Sequence, residues 1–259
     1  MRKNEVMAAL LIPSGNINNW GDDLNKPAIK NDLFKNGIRI DTEIHGQTIY
    51  VCDNRNGYGY TEYFAVEKDD NNEDQIVFYS QVKKNQKRNN LFKSRVGRYQ
   101  SLIWKEISWE SGTNFASDFM LDVLLKDSSL YPMVITDMKQ TIYGGFMWIR
   151  TLSSALNAGY NCYFGLSAPT DAKCIIKIDS IFEIRRHYNK DMLNENSAYA
   201  YRCALITKPN TKIESLLLDP KHTLILSNKE AEELGAYEEP IELDNLQFDD
   251  MLDEYFAVK

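Results

Sequence analysis

The sequence predicts an α/β fold in which a mixed sheet carries helices on its faces. The chain has 259 residues, 43% of them hydrophobic and 26% charged, which is typical of a globular protein with a sizeable core. The first half alternates apolar and polar residues between turn signals, whereas the second half alternates helix-like and strand-like segments. Together these patterns predict a sheet that is antiparallel at first and helix-covered further along.

An antiparallel meander is predicted first, from Gly37 to Lys84. The turn residues His45-Gly46 and 54–57 separate short segments that are rich in β-branched and aromatic residues. The predicted strands are 38–43, 48–52, 60–67, 76–82 and, after a basic stretch, 101–109. Because the turns within the meander are short, neighbouring strands are expected to run antiparallel.

The second half opens with a predicted helix after Gly112-Thr113-Asn114. Its apolar residues recur at offsets of three and four, as on one helix face: Phe115, Phe119, Met120, Val123 and Leu124. A strand over 133–136 follows, and then a second helix with the apolar stripe Phe146, Ile149, Leu152, Ala155 and Leu156. Gly159 stands where a left-handed residue ends a helix, and further strands are predicted over 160–166 and 174–178.

Charge is distributed unevenly along the chain. The net charge is −7, yet residues 229–259 carry eleven acids and two lysines, so the remainder has a net charge of +2. Apolar residues are interleaved with these acids, and the tail could form an amphipathic helix against a protein partner. By contrast, residues 75–105 contain no acid and eight basic residues, so the run 83–98 could bind a phosphate-bearing or nucleic-acid ligand.

Several classes of protein are not indicated. The apolar runs are far shorter than the roughly 18 residues of a spanning helix and no convincing signal peptide is present, so we expect a cytoplasmic protein without a membrane partner. The four cysteines lack C-x-x-C spacing and the three histidines are scattered, so neither a zinc site nor a disulfide framework is signalled. A catalytic Cys-His pair stays open, because such partners meet in space rather than in sequence.

Two segments have the pattern of a ligand site. In 107–116 a strand runs into a turn at Gly112 and then a helix, a junction that can cradle phosphate because the first N–H groups of a helix are unpaired. In 134–148 a strand delivers Asp137 to its carboxyl end, where open sheets place ligands, and a helix containing Trp148 follows.

The order of these features resembles the GNAT-type N-acyltransferases, in particular the divergent kind found in tailed bacteriophages. The resemblance is carried by the string Val134-Ile135-Thr136-Asp137-Met138-Lys139-Gln140-Thr141 with the following glycines and Trp148, and by the earlier turn at Gly112. It covers roughly Gly37 to Ile178, about half of the chain. It implies a GNAT-like acyltransferase fold over 37–207, with an N-terminal extension over 1–36 and an acidic C-terminal extension over 208–259.

The resemblance also implies a cofactor, acetyl-CoA or another acyl-CoA, whose acyl group passes to an amine. The strand before the first helix would line this cofactor and the turn would bind its pyrophosphate; the matching residues are Ile107, Trp109, Ser111, Gly112, Thr113 and Asn114. Gly112 fits the family's turn, whereas Trp109 stands where Arg or Gln is expected and Asn114 replaces a small residue.

Acyl transfer to an amine needs a base for the amine proton and an acid for the leaving thiolate. Glu106, on the strand beside the acyl site, is the candidate base, and Tyr143, near the start of the later helix, is the candidate acid. Asp137 is the third candidate, although it could instead cap the helix that follows it. The acceptor is open among a host protein, an amino-sugar and a nucleobase amine.

Two alternatives accompany this prediction. In the first, the chain keeps the acyltransferase fold without the activity and acts as a binding or inhibitory phage protein, since fold does not fix function. In the second, it is a metal-dependent nuclease, in which an acid on one strand and a Glu/Gln-x-Lys on the next hold Mg²⁺. Glu62 and Gln81-Val82-Lys83 have that spacing.

Overall fold

The computed structural model shows a mixed α/β protein that divides into two compact units. The first unit comprises Met1–Lys84 and Arg98–Leu124, and the second comprises Asn85–Gly97 and Leu125–Lys259. The residues that the structure describes are 20–53, 59–84, 91–93, 97–105, 109, 114–126, 132–136, 142–167, 173–187 and 202–234. Each unit has its own sheet and its own hydrophobic cluster.

Five antiparallel strands form the sheet of the first unit, each paired with the next in chain order. They are β1 (Ile38–Ile44), β2 (Gln47–Asp53), β3 (Tyr60–Lys68), β4 (Asp74–Lys84) and β5 (Gly97–Lys105). The predicted meander is therefore confirmed. The strand predicted over 101–109 begins earlier, at Gly97, because Arg98 and the residues after it pair along β4, Arg98 with Lys84. Its described part ends at Lys105.

Tight turns set the register of this meander. His45 and Gly46 join β1 to β2 with φ angles of 50° and 76°, the paired positive values that suit a two-residue hairpin turn. Between β3 and β4, the carboxylate of Asp69 accepts hydrogen bonds from the backbone N–H groups of Glu73, at 2.8 Å, and Asn71, at 2.9 Å. These bonds, that from Glu73 above all, stabilise the anion and hold the pKa of Asp69 below its ordinary value of 3.8.

Helices cover both faces of the first sheet. On one face, α1 (Trp20–Asn25) and α2 (Pro27–Asn36) contribute to a buried cluster whose members are Leu24, Ile29, Leu33, Cys52, Phe64, Ile76 and Tyr79. On the other face lies α3 (Phe115–Asp118), which continues as the π-helix Phe119–Lys126. The ring of Phe78 lies 4.9 Å from that of Phe115, and because Phe78 precedes Tyr79 on β4 the two side chains take opposite faces. The region predicted as an N-terminal extension thus contains two helices of the first core.

The second unit has a mixed sheet. Its strands are β6 (Met133–Ile135), β7 (Asn161–Ser167), β8 (Lys173–Ile178), β9 (Arg202–Thr207) and β10 (Thr223–Leu226), in the spatial order β6-β9-β7-β8-β10. Only β8 and β10 are parallel; the other described pairs are antiparallel. The strand predictions over 133–136, 160–166 and 174–178 are confirmed as β6, β7 and β8. The sequence patterns did not predict β9 or β10, and β10 lies in the region predicted as a C-terminal extension.

The helix α4 (Ile142–Asn157) packs on one face of this second sheet, and its end was predicted correctly. Gly159 has a φ of 79°, its N–H bonds the carbonyl of Leu156, and the N–H of Tyr160 bonds the carbonyl of Ala155. These two bonds form a Schellman motif, which a left-handed glycine makes possible. The remaining helices of the unit are α5 (Ile181–His187), the 3₁₀ helix Ile213–Leu216 and α6 (Asn228–Glu233). Within the described ranges, no helix is long and apolar enough to cross a bilayer.

The opposite face of the second sheet is covered by a short segment, 91–93. Phe92 forms a bridge with Leu217, and backbone hydrogen bonds of 2.9 Å join Leu218 to Leu91 and Lys93 to the 3₁₀ helix. Leu91 then packs so closely on β7 that a Cβ added to Gly165 would lie 3.0 Å from its Cδ1. Segment 91–93, which is part of the basic run 83–98, therefore packs against the sheet of the second unit.

Candidate functional site

The structure describes only part of the site that the sequence predicted. Trp109 and Asn114 are described. Tyr143 is the second residue of α4, and only its backbone is described. The other predicted residues lie outside the described ranges: Glu106, Ile107, Ser111, Gly112, Thr113 and Asp137. The base, acid and capping roles of Glu106, Tyr143 and Asp137 therefore stay predictions.

Asn114 opens the helical segment 115–126 in a left-handed conformation, with φ 64° and ψ −6°. Asparagine adopts this region more readily than most residues. This tolerance explains why an asparagine can stand at the end of the predicted turn. Its carbonyl accepts the N–H of Asp118 at 3.0 Å, while its side chain makes no capping hydrogen bond within the described structure. The helix thus begins directly after a left-handed residue.

Trp109 lies in the core beside this helix start. Its side chain is only 4% exposed, and its ring centroid lies 4.6 Å from that of Phe115, the first residue of α3. The buried indole N–H has no hydrogen-bond acceptor among the residues that the structure describes. Leaving a buried donor unpaired costs about 1–3 kcal/mol. The indole N–H of Trp109 therefore differs from most buried polar groups, which are hydrogen-bonded.

A histidine and an aspartate meet at the first turn of the same helix. Nε2 of His45, in the β1–β2 turn, lies 2.7 Å from Oδ2 of Asp118, and both side chains are about one-third exposed. The imidazole also meets the ring of Phe115 edge-on at 6.1 Å. Sequence spacing could not have found this pair, because its members are 73 positions apart. The contact between His45 and Asp118 joins the β1–β2 hairpin turn to the start of the helix.

The residues of the predicted nuclease pattern are also brought together. Glu62 on β3 and Gln81 on β4 are direct partners in the antiparallel ladder, so the spacing argument placed them correctly. Between them lies Tyr79, whose hydroxyl donates to the Glu62 carboxylate and accepts the amide N–H of Gln81 at 2.9 Å.

Burial determines whether the cluster of Glu62, Tyr79 and Gln81 can bind a metal ion. Glu62 is fully buried, and Mg²⁺ prefers several oxygen ligands together with water. Across the described ranges, no three side chains of the His, Cys, Asp and Glu types lie together as a metal site would require. The arrangement therefore favours a hydrogen-bonded core for Glu62, Tyr79 and Gln81, and the nuclease remains only an alternative.

The four cysteines, Cys52, Cys162, Cys174 and Cys203, are all buried. Burial raises the pKa of the Cys162 thiol to about 12, because the thiolate would lose its hydration. A thiol in that state is almost entirely protonated at neutral pH. Cys162 is therefore a poor candidate for the nucleophile of a Cys-His pair.

Comparison with known proteins yields no match, whether with protein-family models, with curated proteins or with solved structures. The class of protein must accordingly be inferred from the chain's own residues. Among the described sites, the start of helical segment 115–126 combines a left-handed turn residue, a buried donor and a histidine-aspartate pair. It is the candidate functional site.

Proposed function

We propose that the chain is a phage-encoded, GNAT-like N-acyltransferase that moves an acyl group from acyl-CoA to an amine. The observation that carries this proposal is the left-handed Asn114, which starts a helix at the end of the segment that the resemblance assigns to the cofactor pyrophosphate. The described order of elements supports it: a meander, a helix, the strand β6, the helix α4 and the strand β7. The resemblance implies this same order.

The residues present fit the cofactor in one further respect. A buried N–H that lacks an acceptor, at Trp109, sits beside a helix start where backbone N–H groups are characteristically unpaired. Donors of this kind bind phosphate and other oxyanions. Ile107, Ser111, Gly112 and Thr113 complete the proposed turn.

In the proposed chemistry, the bound cofactor supplies an activated thioester. Glu106 takes a proton from the attacking amine, so that the nitrogen lone pair can form the new amide bond. Tyr143 donates a proton to the sulfur as the carbon–sulfur bond breaks, which avoids release of a free thiolate. Asp137 either contributes to this proton transfer or holds the start of α4.

Isothermal titration of the purified chain with acetyl-CoA tests the proposal. We expect micromolar binding, about −8 kcal/mol, and its loss in Gly112→Val, because a side chain there would block approach to the turn. Gly159→Val is the control: it puts the same side chain at a left-handed position of the second unit. No binding to the unsubstituted chain at millimolar acetyl-CoA would refute the proposal.

The first alternative, a binding or inhibitory protein with the same fold, makes the opposite prediction. Such a protein would fold like the enzyme but would not bind acetyl-CoA, and its partner would engage the basic run 83–98 or the acidic tail. If binding is observed, amine acceptors can be screened with Glu106→Gln and Tyr143→Phe. An active transferase should lose turnover in these variants and keep its affinity for the cofactor.

A further inference from the structure

We propose that the end of the first sheet where β3 begins and β4 ends binds single-stranded nucleic acid, with Tyr60 stacking on a base and Lys83 pairing with a phosphate. This inference goes beyond the acyltransferase proposal and does not depend on it. The sequence indicated only that the basic run 83–98 suits a phosphate-bearing ligand. The structure places Lys83, Lys84 and Arg98 of that run in the first unit.

The register of the sheet brings these residues together. Lys83 on β4 is the direct partner of Tyr60 on β3 and of Tyr99 on β5, and the next position pairs Lys84 with Arg98. These pairs lie at the ends of three neighbouring strands, because β3 and β5 begin there and β4 ends there. Cationic and aromatic residues are therefore concentrated at one end of the first sheet.

Tyr60 and Lys83 lie outside the buried cluster of this sheet. Side chains alternate between faces along a strand, so Tyr60 shares a face with Phe64, four residues further along β3. At about 3.4 Å per residue, the two positions are roughly 13 Å apart. Phe64 belongs to the cluster beneath α1 and α2, whereas Tyr60 and Lys83 are partly exposed. The pair is therefore accessible to a ligand and is carried by a rigid element.

The ammonium of Lys83 lies over the ring of Tyr60, with Nζ 4.9 Å from the ring centroid. This distance is within the range of a cation–π interaction. The contact orders a long side chain before any ligand binds, so less rotamer freedom is lost on binding. An ammonium has three N–H donors and a ring has two faces, so each group can meet a ligand while the contact is kept.

Lys83 differs from other lysines of the described structure in its partner. Ion pairs with a nearby Asp or Glu are formed by Lys26, Lys68, Lys177 and Lys229. Lys83 has no such carboxylate among the described residues, where its partner is the Tyr60 ring. Residues 75–105 contain no acid, and neither do residues 54–61. The charge at this end of the sheet therefore favours an anionic ligand.

A ligand that uses both groups must offer phosphates and unpaired bases together. In a single strand the faces of the bases are free to stack on aromatic side chains, while cations follow the phosphates. In a duplex the bases are stacked on one another, and a protein meets only phosphates and groove edges. A partly exposed ring beside a cation therefore favours a single strand over a duplex.

Fluorescence anisotropy of the full chain with a labelled oligothymidylate of about 15 nucleotides tests the inference. At about 50 mM salt we expect a Kd of about 10 µM or lower, and weaker binding of a duplex of the same length. Lys83→Gln should reduce the slope of log Kd against log salt by about 0.7, because one phosphate contact is lost. Tyr60→Leu should weaken binding about fivefold or more, whereas Tyr60→Phe keeps the ring and should retain the affinity.

Two further variants check that the effect is local. Lys68→Gln changes the opposite end of the β3–β4 pair, where Lys68 is paired with Asp74, and should leave affinity and salt slope unchanged. Asp53→Asn removes an exposed negative charge beside Tyr60, where Asp53 is the ladder partner of Thr61, and should strengthen binding at low salt. Urea titration checks that each variant folds. If Tyr60→Leu does not fold, the preference of the unsubstituted chain for single strand over duplex decides whether stacking occurs.

Several results would overturn the inference. The first is no binding of the oligonucleotide at about 100 µM protein. Binding that survives both Lys83→Gln and Tyr60→Leu would place the nucleic acid elsewhere. A loss in Lys83→Gln alone, or equal affinity for single strand and duplex, would show a phosphate contact without stacking and refute the single-stranded ligand.

Competition separates this surface from the proposed cofactor site. Excess acetyl-CoA should not displace the oligonucleotide, since the cofactor is assigned to the helix start at Asn114. Displacement would mean that both ligands share one anion site, and it would refute the surface proposed at Tyr60 and Lys83. Titration with acetyl-CoA alone tests the acyltransferase proposal, so the two proposals can fail independently.

Discussion

Asn114 combines an unusual backbone conformation with a place in the proposed cofactor site. Its φ of 64° is costly for most residues, and a β-branched side chain there should destabilise the fold by about 1–2 kcal/mol. Asn72, in the β3–β4 turn, has nearly the same φ, 63°, far from the helix start along the chain. The two asparagines therefore form a natural matched pair.

We expect Asn114→Val and Asn72→Val to lower the free energy of unfolding by similar amounts, while only Asn114→Val weakens acetyl-CoA binding. Urea titration measures the first quantity and calorimetry the second. Asn114→Gly, which also tolerates a positive φ, should retain both stability and affinity. If the two valine variants bind acetyl-CoA with equal affinity, the helix start is not part of the cofactor site.

The turn between β3 and β4 gives a pH prediction. The pKa of Asp69 is lowered in the folded chain, chiefly by the backbone N–H of Glu73, so its carboxylate stabilises the fold above pH 3.8. This contribution is lost as the pH falls from 3.8 through the lower folded pKa. Asp69→Asn should therefore be less stable than the unsubstituted chain at pH 7, and the difference should shrink below pH 3.8.

The neighbour Asp70 provides the control for this prediction, because Asp70→Asn changes the same charge at an exposed position of the same turn. Urea unfolding at a series of pH values should show a pH-dependent difference for Asp69→Asn and a small, flat one for Asp70→Asn. Matching profiles for the two variants would mean that the hydrogen bonds at Asp69 do not stabilise the turn.

The strand β7 and the segment 91–93 give a packing prediction. A Cβ at Gly165 would lie 3.0 Å from Leu91 Cδ1 and 3.1 Å from Cys203 Sγ, distances that force the neighbours to move. Gly165→Ala should thus destabilise the chain by about 1–3 kcal/mol, as other overpacked cores do. Leu91→Ala removes one of these two close contacts and leaves that with Cys203. The double variant should therefore be less unstable than the two single effects added together, as measured by a double-mutant cycle.

Elements differed in how far the sequence could predict them. The β1–β2 hairpin and the end of α4 follow from local signals, namely His45-Gly46 at a turn and Gly159 after an apolar stripe, and both are confirmed. The strand β9 was not predicted, because its place between β6 and β7 arises from pairing with residues far away in sequence. Long-range pairing leaves no spacing in the sequence to detect.

The candidate functional residues show the same division. Glu62 and Gln81 were predicted to meet because they lie on neighbouring strands of a meander, yet their burial, which decides their chemistry, depends on packing by distant elements. The pair His45 and Asp118 was missed, since only the folded first unit brings a hairpin turn to a helix start. Residue types predict candidate chemistry, whereas the fold determines which candidates meet.

For the whole molecule, the division into two units predicts where a ligand should act. Every residue proposed for cofactor binding, from Ile107 to Asn114, belongs to the first unit. Binding at a concentration of 100 times Kd should stabilise the folded chain by roughly 2.7 kcal/mol. Hydrogen exchange followed by mass spectrometry can show which amides gain this protection.

We expect saturating acetyl-CoA to slow exchange most in β4, β5 and helical segment 115–126, since these elements hold the proposed turn. The strands β8 and β10 of the second unit should change less, because no proposed cofactor residue lies on them. Gly112→Val, under the same ligand concentration, should show no added protection anywhere. Protection that is gained mainly in β8 and β10 would place the cofactor in the second unit and contradict the site proposed at Asn114.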